Sequence, residues 1–402
     1  MSDPFIWLAL VAVPGHISWI QWCSNNLHAV NLDYRFVKRI SPLINTAIVV
    51  GATALPAWAL VRFAATYRVE LPIDVGAWGG PLSPAARGYV GLCVLNTLVC
   101  FLPWLIIRLT WRESEHLLAD EYVRHDLCSH FGGAKALALK GRLLTRLPYN
   151  QGLQLCVHRK RILVPRLPRA LNGLRIAHLS DLHLAGVFEC GLYERLVRLT
   201  NEARADIVAL TGDLIEKPAC WDWIASTFGT LVAPHGIYFV LGNHDIRIDH
   251  TETVRRLVAA GLRDLGRGYV QTTIRGVDVL LAGNELPWLG PPPEVPRQSR
   301  IFGPPQFRVL LSHSPDQYSW ARERDFDLVL AGHVHGGQIQ FPILGPVLAP
   351  SKFGVHYASG VFYEPPTVMH VSRGTSNKLP LRYFCPPELA ILELVAPASD
   401  RG

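Results

Sequence analysis

Residues 326–338, FDLVLAGHVHGGQ, decide how the rest of this chain is interpreted. A short apolar run, rich in branched side chains, ends on Gly332, and two histidines follow at once, His333 and His335. Runs of this length that close on glycine are typical of buried strands rather than of helices. The stretch therefore predicts a buried strand that presents imidazole groups at its carboxyl end.

Four earlier stretches repeat the pattern of an apolar run followed by polar residues. They are LRIAHLSDLHL (174–184), ADIVALTGD (205–213), GIYFVLGNHD (236–245) and FRVLLSHSPD (307–316). Their closing polar residues include Asp181, His183, Asp213, Asn243, His244 and His313. Five buried strands that deliver side chains from their carboxyl ends predict a site at one edge of an α/β sheet.

The chemistry of these side chains is that of a metal site. Carboxylate, carboxamide and neutral imidazole groups suit borderline divalent ions such as Mn²⁺, Zn²⁺ and Fe²⁺. Two such cations need a shared carboxylate to offset their repulsion, and they lower the pKa of water so that it becomes a nucleophile near neutral pH. None of the five stretches contains cysteine, which argues against a structural thiolate zinc site.

The five stretches resemble the calcineurin-like metallophosphoesterases, whose pattern is D-x-H, G-D, G-N-H-[DE], H and G-H-x-H. The resemblance implies a four-layer α/β fold in which two mixed sheets are flanked by helices. The implied ligands are Asp181, His183 and His335 for one metal and Asn243, His313 and His333 for the other, with Asp213 as the bridge. It implies that His244 is the acid that protonates the leaving oxygen, or a clamp on the phosphate.

Three further stretches resemble the membrane-associated subfamily of these enzymes: LSHSPDQ (311–317), AGHVHGGQIQFPILGP (331–346), and VSRGTSN (371–377) followed by PLRYFCPPELAILEL (380–394). That subfamily includes a transmembrane protein with a metallophosphoesterase domain, bacterial phosphodiesterases, and a UDP-2,3-diacylglucosamine pyrophosphatase of lipid A synthesis. Protein phosphatases of this fold have a second Asp and an Arg after G-D, whereas Asp213 is followed here by Leu-Ile-Glu-Lys. This difference argues against protein dephosphorylation.

Other residues are candidates for supporting roles. Arg373 is a candidate for contact with a phosphate oxygen, which a guanidinium fork suits, or for a surface ion pair. Asp245 either orients His244 or caps a helix, and Trp288 either lines a substrate cleft or packs in the core. His178 precedes the first motif and is expected in the core or behind the ligands.

The first part of the chain has the composition of a membrane region. Residues 43–61 and 88–107 carry no charge, and each run matches the roughly 20 residues that a helix needs to cross a bilayer. Residues 4–22 are expected to form a third span or a helix in the interface. The predicted organisation is a transmembrane region at 1–112, a basic connector at 113–172 and a catalytic domain at 173–396.

Basic residues near the apolar segments predict the orientation. On one side are Arg35, Lys38, Arg39, Arg108, Arg112 and Arg124, and on the other only Arg62, Arg68 and Arg87. The excess of positive charge predicts that the catalytic domain is cytoplasmic.

Residues 127–180 contain no acidic side chain. Because this basic segment follows a membrane region, it favours contact with an anionic lipid surface over nucleic acid, for which the chain has no motif. The alternative is a solvated basic segment. Residues 132–148 are expected to form a basic amphipathic helix, and residues 153–164 the first strand of the catalytic domain.

The sequence as a whole predicts a membrane-anchored, two-metal phosphoesterase that hydrolyses a phosphodiester or pyrophosphate bond of a phosphorylated, lipid-linked small molecule. Alternatives are hydrolysis of UDP-2,3-diacylglucosamine, hydrolysis of a soluble cyclic nucleotide, and a non-catalytic phosphate-binding scaffold, against which the presence of His244 argues. The sequence leaves open the exact substrate, the metal and the oligomeric state.

Overall fold

The computed structural model describes residues 4–30, 32, 34–67, 82–110, 112–127, 143–185, 187–296, 306–376 and 380–398. They fall into an N-terminal unit, Met1–Trp111, and a C-terminal unit, Arg112–Gly402. Most of the basic helix expected at 132–148 lies outside the described residues.

The N-terminal unit is helical. Its helices are α1 (Pro4–Ala29), α2 (Tyr34–Tyr67), α3 (Pro84–Asn96) and α4 (Leu102–Leu109), with a π-helical turn at Thr97–Phe101 joining α3 to α4. Within the described residues, three helical stretches are long and apolar enough to cross a membrane: Ile6–Leu27, Arg39–Tyr67 and Pro84–Leu109.

The polar residues that dilute the first apolar segment connect it to its neighbours. His16 Nε2 donates to the Ala47 carbonyl (3.0 Å), which leaves Nδ1 to accept from the Tyr89 hydroxyl (2.6 Å). Asn96 Nδ2 donates to the Gly15 carbonyl (2.7 Å). Small residues and interhelical hydrogen bonds are the contacts that join helices within a membrane. His16 is thus explained by packing within this unit, and α1 has the length of a third span.

The C-terminal unit contains fifteen described strands. They are β1 (Leu117–Asp126), β2 (Gln154–Leu163), β3 (Arg175–Leu179), β4 (Ile207–Thr211), β5 (Ile237–Val240), β6 (Arg263–Asp264), β7 (Tyr269–Ile274), β8 (Val277–Asn284), β9 (Phe307–Ser312), β10 (Leu328–Ala331), β11 (Gln340–Phe341), β12 (Gly345–Pro346), β13 (Gly360–Glu364), β14 (Thr367–Val371) and β15 (Glu388–Val395). Its α-helices are α5 (Cys190–Glu202), α6 (His250–Ala259) and α7 (Tyr318–Glu323).

The strands form two mixed sheets and a small hairpin. The first sheet has the order β1-β2-β15-β3-β4-β5-β6, and the second has the order β13-β14-β10-β9-β8-β7. β11 and β12 pair antiparallel as the hairpin. Both large sheets contain parallel and antiparallel neighbours, as the expected fold requires.

Alternation of side chains along the strands builds the layers. On β4, Val208 and Leu210 pack in one apolar cluster with Leu196 of α5, while Ile207 and Ala209 pack in another cluster with strands of the second sheet. Successive residues of a strand face opposite sides, so one face of the first sheet is covered by helices and the other by the second sheet. The prediction of two mixed sheets flanked by helices is confirmed.

The first sheet extends into the region assigned to the connector. β2 lies at the position expected from 153–164 and pairs in parallel with β15, while β1 pairs antiparallel with β2 at the sheet edge. The sheet thus begins at Leu117, well before residue 173. Sequence reasoning missed β1 because LLADEYVRHD is an edge strand whose side chains are mostly exposed, so it has no apolar periodicity.

Candidate metal centre

Five loops meet at one end of the C-terminal unit. β3, β4 and β5 are parallel neighbours in the first sheet, and β9 and β10 are parallel neighbours in the second. The prediction that five strands deliver the polar residues from their carboxyl ends is confirmed. The prediction of a single sheet edge was wrong, because three of the strands belong to one sheet and two to the other.

Asp181, His183 and His335 form a first group of side chains. Asp181 Oδ1 lies 3.4 Å from His335 Nε2 and 3.9 Å from His183 Nε2, and the two imidazole nitrogens are 3.1 Å apart. The other carboxylate oxygen of Asp181 accepts hydrogen bonds from the Ser180 hydroxyl (2.6 Å) and the His333 amide (3.0 Å). The orientation of Asp181 is therefore fixed, with Oδ1 facing the two histidines.

Asn243, His313 and His333 form a second group. His313 Nε2 lies 3.2 Å from Asn243 Oδ1 and 3.2 Å from His333 Nδ1. His313 Nδ1 lies 2.7 Å from the Thr211 carbonyl, which can only accept, so Nδ1 carries a proton. In the neutral ring, Nε2 then presents its lone pair to the group.

Asp213 lies between the two groups. Its Oδ2 is 3.7 Å from His183 Nε2 and 3.4 Å from His313 Nε2, while its Oδ1 accepts the His244 amide hydrogen (2.7 Å). Burial alone would raise the pKa of Asp213, but His313 and His244 hold it well below its ordinary value. Against the opposing effect of burial, Asp213 raises the pKa of His313 to about 9. This part of the site therefore favours positive charge.

The backbone at the site is strained. Asp181, His183, Asp213, His333 and His335 all have positive φ, between 47° and 71°. Side-chain-bearing residues rarely adopt this conformation, and it clusters at functional sites where the surrounding structure enforces it. Five of the eight motif residues share it, which is the pattern of a site shaped for ligand binding.

The donors fit divalent cations. Asp181 Oδ1 is buried and accepts no hydrogen bond from the described residues, a costly state for a carboxylate oxygen unless a cation contacts it. Burial, His183 and Arg382 together hold the pKa of His335 well below its ordinary value, so this imidazole stays neutral. Carboxylate, carboxamide and neutral imidazole are the donors that borderline divalent ions accept. Both groups can therefore hold a metal.

Glu216 connects the first group to His244. Its Oε1 lies 2.7 Å from His183 Nδ1, and the same oxygen contacts His244 Nδ1. Burial would raise the pKa of Glu216, but its bonds to His183 and His244 hold that pKa far below the ordinary value. An ionised carboxylate behind each ring directs its Nε2 away from Glu216. His244 Nε2 accordingly lies 4.0 Å from Asp213 Oδ2.

Replacing Glu216 with glutamine is expected to lower kcat about 10–100-fold, the usual effect of removing a carboxylate behind a metal-binding histidine. The amide cannot hold both rings by charge, so His183 and His244 lose their fixed orientation. Hydrolysis of a generic phosphodiester by the full chain measures the loss. The matched control is Glu202→Gln on an exposed position of α5, which should leave the rate unchanged. Wild-type activity in Glu216→Gln would contradict this role.

Two other candidates have contacts that the sequence did not predict. Asp245 does not orient His244. It accepts amide hydrogens from Leu214, Ile215 and Gly242 (2.8–2.9 Å) and so fastens the Asp213 loop to the loop after β5. The main-chain N–H of Arg373 donates to Glu388 (2.9 Å). Burial would lower the pKa of the Arg373 guanidinium, but the charge of Glu388 raises it.

Trp288 and Gly336 lie beside the site. The Trp288 ring is half-buried, with its centroid 5.3 Å from that of His313 and 4.7 Å from that of His333. The Trp288 ring therefore packs against the second group and covers it on one side. Gly336 has φ +62°, and a Cβ there would lie 2.5 Å from the Cys385 sulfur, so glycine is required for this close approach.

A chain of buried polar groups lies behind the second group. Lys160 pairs with Glu388 and donates to His370 Nε2 (3.2 Å). His370 must then donate through Nδ1 to His178 Nδ1 (2.8 Å), and His178 through Nε2 to the Thr211 hydroxyl (2.8 Å). Burial lowers the pKa of His178 to about 3, so it stays neutral. The expectation that His178 lies in the core behind the motif residues agrees with this position.

Arg382 is fully buried behind His335 and was missed by sequence reasoning. It donates to the carbonyls of His335 and Arg373 (2.7 Å each), and its Nη2 lies 3.3 Å from His335 Nδ1. A single sequence contains no signal that separates this arginine from a surface one. Glu216 was detectable only as an acid three residues after Asp213.

Comparison with known proteins agrees with this geometry. The family model of calcineurin-like phosphoesterases matches residues 174–337. The metallophosphoesterase YkuE of Bacillus subtilis is 31% identical over 234 residues, which cover 57% of this chain and 81% of YkuE. The phosphodiesterase YaeI of Escherichia coli is 28% identical, covering 55% of this chain and 82% of YaeI. The zebrafish (Danio rerio) transmembrane protein with metallophosphoesterase domain is 28% identical, covering 58% of this chain and 55% of that protein. This chain belongs to the calcineurin-like metallophosphoesterase family and is a metal-dependent phosphoester hydrolase.

Proposed function

We propose that this chain is a membrane-anchored, two-metal hydrolase of a phosphodiester or pyrophosphate bond in a lipid-linked substrate. The observation that carries the two-metal part is the position of Asp213 Oδ2, within 3.7 Å of imidazole nitrogens from both groups. The observation that favours a lipid-linked substrate is the presence of three apolar helices in the same chain. A soluble substrate would give those helices no part in catalysis.

The proposed roles follow the two groups. Asp181, His183 and His335 would hold one cation, Asn243, His313 and His333 would hold the other, and Asp213 would be shared between them. Mn²⁺, Zn²⁺ and Fe²⁺ suit this donor set. When bound, two such cations activate water and neutralise charge that develops on the phosphoryl oxygens.

His244 is proposed to give its Nε2 proton to the leaving oxygen. Burial lowers the pKa of His244, while the charges of Asp213 and Glu216 oppose that effect and so help the ring to hold the proton that it gives. Arg373 is proposed to contact a phosphate oxygen, because a guanidinium fork suits phosphate and the next residue, Gly374, lies directly against Asp181 and His335.

Full-length enzyme in mixed micelles is expected to hydrolyse a lipid-linked diphosphate roughly 10-fold or more faster than a short-chain soluble analogue at equal concentration. The reason is that anchoring raises the effective concentration of a substrate in the same surface. A substrate panel with Mn²⁺ measures it, with UDP-2,3-diacylglucosamine, a cyclic nucleotide and a generic diester as further arms. Equal rates on the lipid and its soluble analogue would overturn the lipid-linked substrate and leave a general phosphodiesterase. A clear preference for UDP-2,3-diacylglucosamine would identify the lipid.

We also propose that the C-terminal unit faces the cytoplasm, as the excess of Lys and Arg beside the apolar segments indicates. Intact cells that express single-cysteine variants of the protein are treated with an impermeant maleimide. It is expected to label a cysteine placed within residues 70–80, but not one at an exposed position of the C-terminal unit such as Val232. Permeabilised cells are the control, since both positions should then react. Labelling of Val232 in intact cells, with residues 70–80 protected, would reverse the orientation.

A further inference from the structure

Next to the metal centre, the C-terminal unit exposes large apolar side chains. They are Tyr149, Ile339, Phe341, Ile343, Leu348 and Phe384. Ile343, at the tip of the β11–β12 hairpin, is 86% exposed, and Tyr149 is 90% exposed. We call these six residues the apolar rim.

Hydrogen bonds join the three segments of the apolar rim. The Gln340 amide donates to the Tyr383 carbonyl (2.9 Å), and the Gln151 amide donates to the Arg382 carbonyl (2.8 Å). The segment 381–384 therefore connects the hairpin on one side to the residues after Tyr149 on the other. The apolar rim is one surface assembled from three parts of the chain.

The same contacts place the apolar rim beside the first group. Gln340 Nε2 donates to the Gly336 carbonyl (2.8 Å), and Arg382 donates to the His335 carbonyl (2.7 Å). A Cβ on Gly337 would lie 2.5 Å from Pro346 of the hairpin, so hairpin and motif loop are in direct contact. The rim adjoins the site where a substrate phosphate is proposed to bind.

Ile343 is an unfavourable residue for a water-exposed turn. It has φ +69°, a conformation that is a genuine outlier for a β-branched residue. Asparagine or glycine at this position would relieve the backbone strain and would expose no apolar side chain to water. An isoleucine that is both strained and exposed is explained when its side chain is buried against another apolar phase.

The charged residues in and near the rim's segments indicate which apolar phase the rim contacts. Residues 328–363 and 365–387 contain no acidic side chain, and neither do residues 127–180. Arg146 and Lys352, which lie next to the rim's segments along the chain, are exposed, whereas Arg382 within the segment 381–384 is buried. Aromatic and aliphatic side chains with basic residues and no acid are the composition of surfaces that insert into the headgroup region of anionic bilayers.

The chain also carries three helices that are long and apolar enough to cross a membrane, so the C-terminal unit is tethered to any bilayer that those helices enter. We propose that the apolar rim inserts into the lipid headgroup region of the membrane that holds the apolar helices, with Ile343 and Phe341 as its deepest side chains. The inference concerns membrane contact and not the substrate, so it stands or falls separately from the lipid-linked substrate.

The test uses the full chain with Cys23, Cys100, Cys128 and Cys190 replaced by serine, since the remaining four cysteines, Cys93, Cys156, Cys220 and Cys385, are buried. Ile343→Cys is labelled with an environment-sensitive NBD fluorophore and reconstituted in nanodiscs that contain anionic lipid. Val232→Cys is the matched control: Val232 is an exposed apolar residue before β5, at the opposite end of the strands from the site. Hydrolysis of a soluble diester verifies that each labelled variant is folded.

The proposal predicts that emission from position 343 shifts to the blue in nanodiscs and is quenched by nitroxide-labelled lipid, while emission from position 232 does neither. Water-like emission from position 343, insensitive to lipid nitroxide, would overturn it. A blue shift without lipid quenching would also overturn it, because the rim would then be covered by protein, such as a second copy of the chain.

Discussion

Asp213→Asn is expected to remove bound metal and activity together. Among the residues that the structure describes, Asp213 is the one carboxylate within 4 Å of imidazole nitrogens of both groups, and its pKa is held low, so it is ionised at neutral pH. Asparagine keeps the shape but removes the charge that offsets repulsion between two cations. We expect kcat to fall roughly 10³-fold or more, since even one preorganised electrostatic contact is worth 10²–10³.

Metal content and diester hydrolysis of the purified full chain measure both effects. The matched control is Asp278→Asn, on an exposed position near the start of β8, which should retain metal and rate. An Asp213→Asn variant with full metal content and normal kcat would contradict the bridging role.

His244→Ala is expected to lose activity while it retains most of its metal. His244 Nε2 lies 4.0 Å from Asp213 Oδ2, and its Nδ1 contacts Glu216. His244 is close enough to His183 and Asp213 to share an ion with them, and we propose that it acts as the acid and not as a ligand. Loss of a general acid typically costs about 10²–10⁴ in rate. The loss should be smaller for a diester with a good leaving group, such as 4-nitrophenolate, because that oxygen needs no proton.

The control for His244 is His250→Ala, an exposed histidine at the start of α6. Dependence on the leaving group separates an acid from a clamp on the phosphate. If His244→Ala slowed good and poor leaving groups equally, His244 would be a phosphate clamp. If the variant lost its metal, His244 would be a ligand.

The strands that carry the motif were predictable because each is short, apolar and followed directly by polar residues. Parallel strands end at the same edge of a sheet, so the sequence alone brings Asp181, Asp213 and Asn243 together. The division into two sheets was not predictable from periodicity. Nothing in FRVLLS or LVLA distinguishes a strand of the second sheet from one of the first. That part came only from the family resemblance.

The supporting residues were less predictable because their roles depend on contacts between distant parts of the chain. Glu216 meets His244 across 28 residues of sequence, and Arg382 meets His335 across 47. Lys160 lies in a stretch that reads as a basic surface, yet it is buried against Glu388, 228 residues away. Charge patterns along a sequence describe average exposure, and a buried ion pair is an exception that only the fold reveals.

Asp245 is a case in which adjacency in the sequence suggested a contact that the fold does not make. Its neighbour His244 suggested a local pairing, but the Asp245 carboxylate accepts from two amides of the facing Asp213 loop and one amide of its own loop. Burial raises the pKa of Asp245 to about 7, with the charge of Asp213 adding to that effect, so its position is set by hydrogen bonding rather than by an ion pair.

The most direct test of the central claim is the metal content of the full chain. Purified protein, stripped with a chelator, is reloaded with Mn²⁺, Zn²⁺ or Fe²⁺ and analysed by mass spectrometry for bound metal and by diester hydrolysis for activity. The two groups around Asp213 predict two divalent ions per chain, with activity lost on stripping and regained on reloading. A stripped chain that retains full activity, or a chain that binds no divalent ion, would contradict the account.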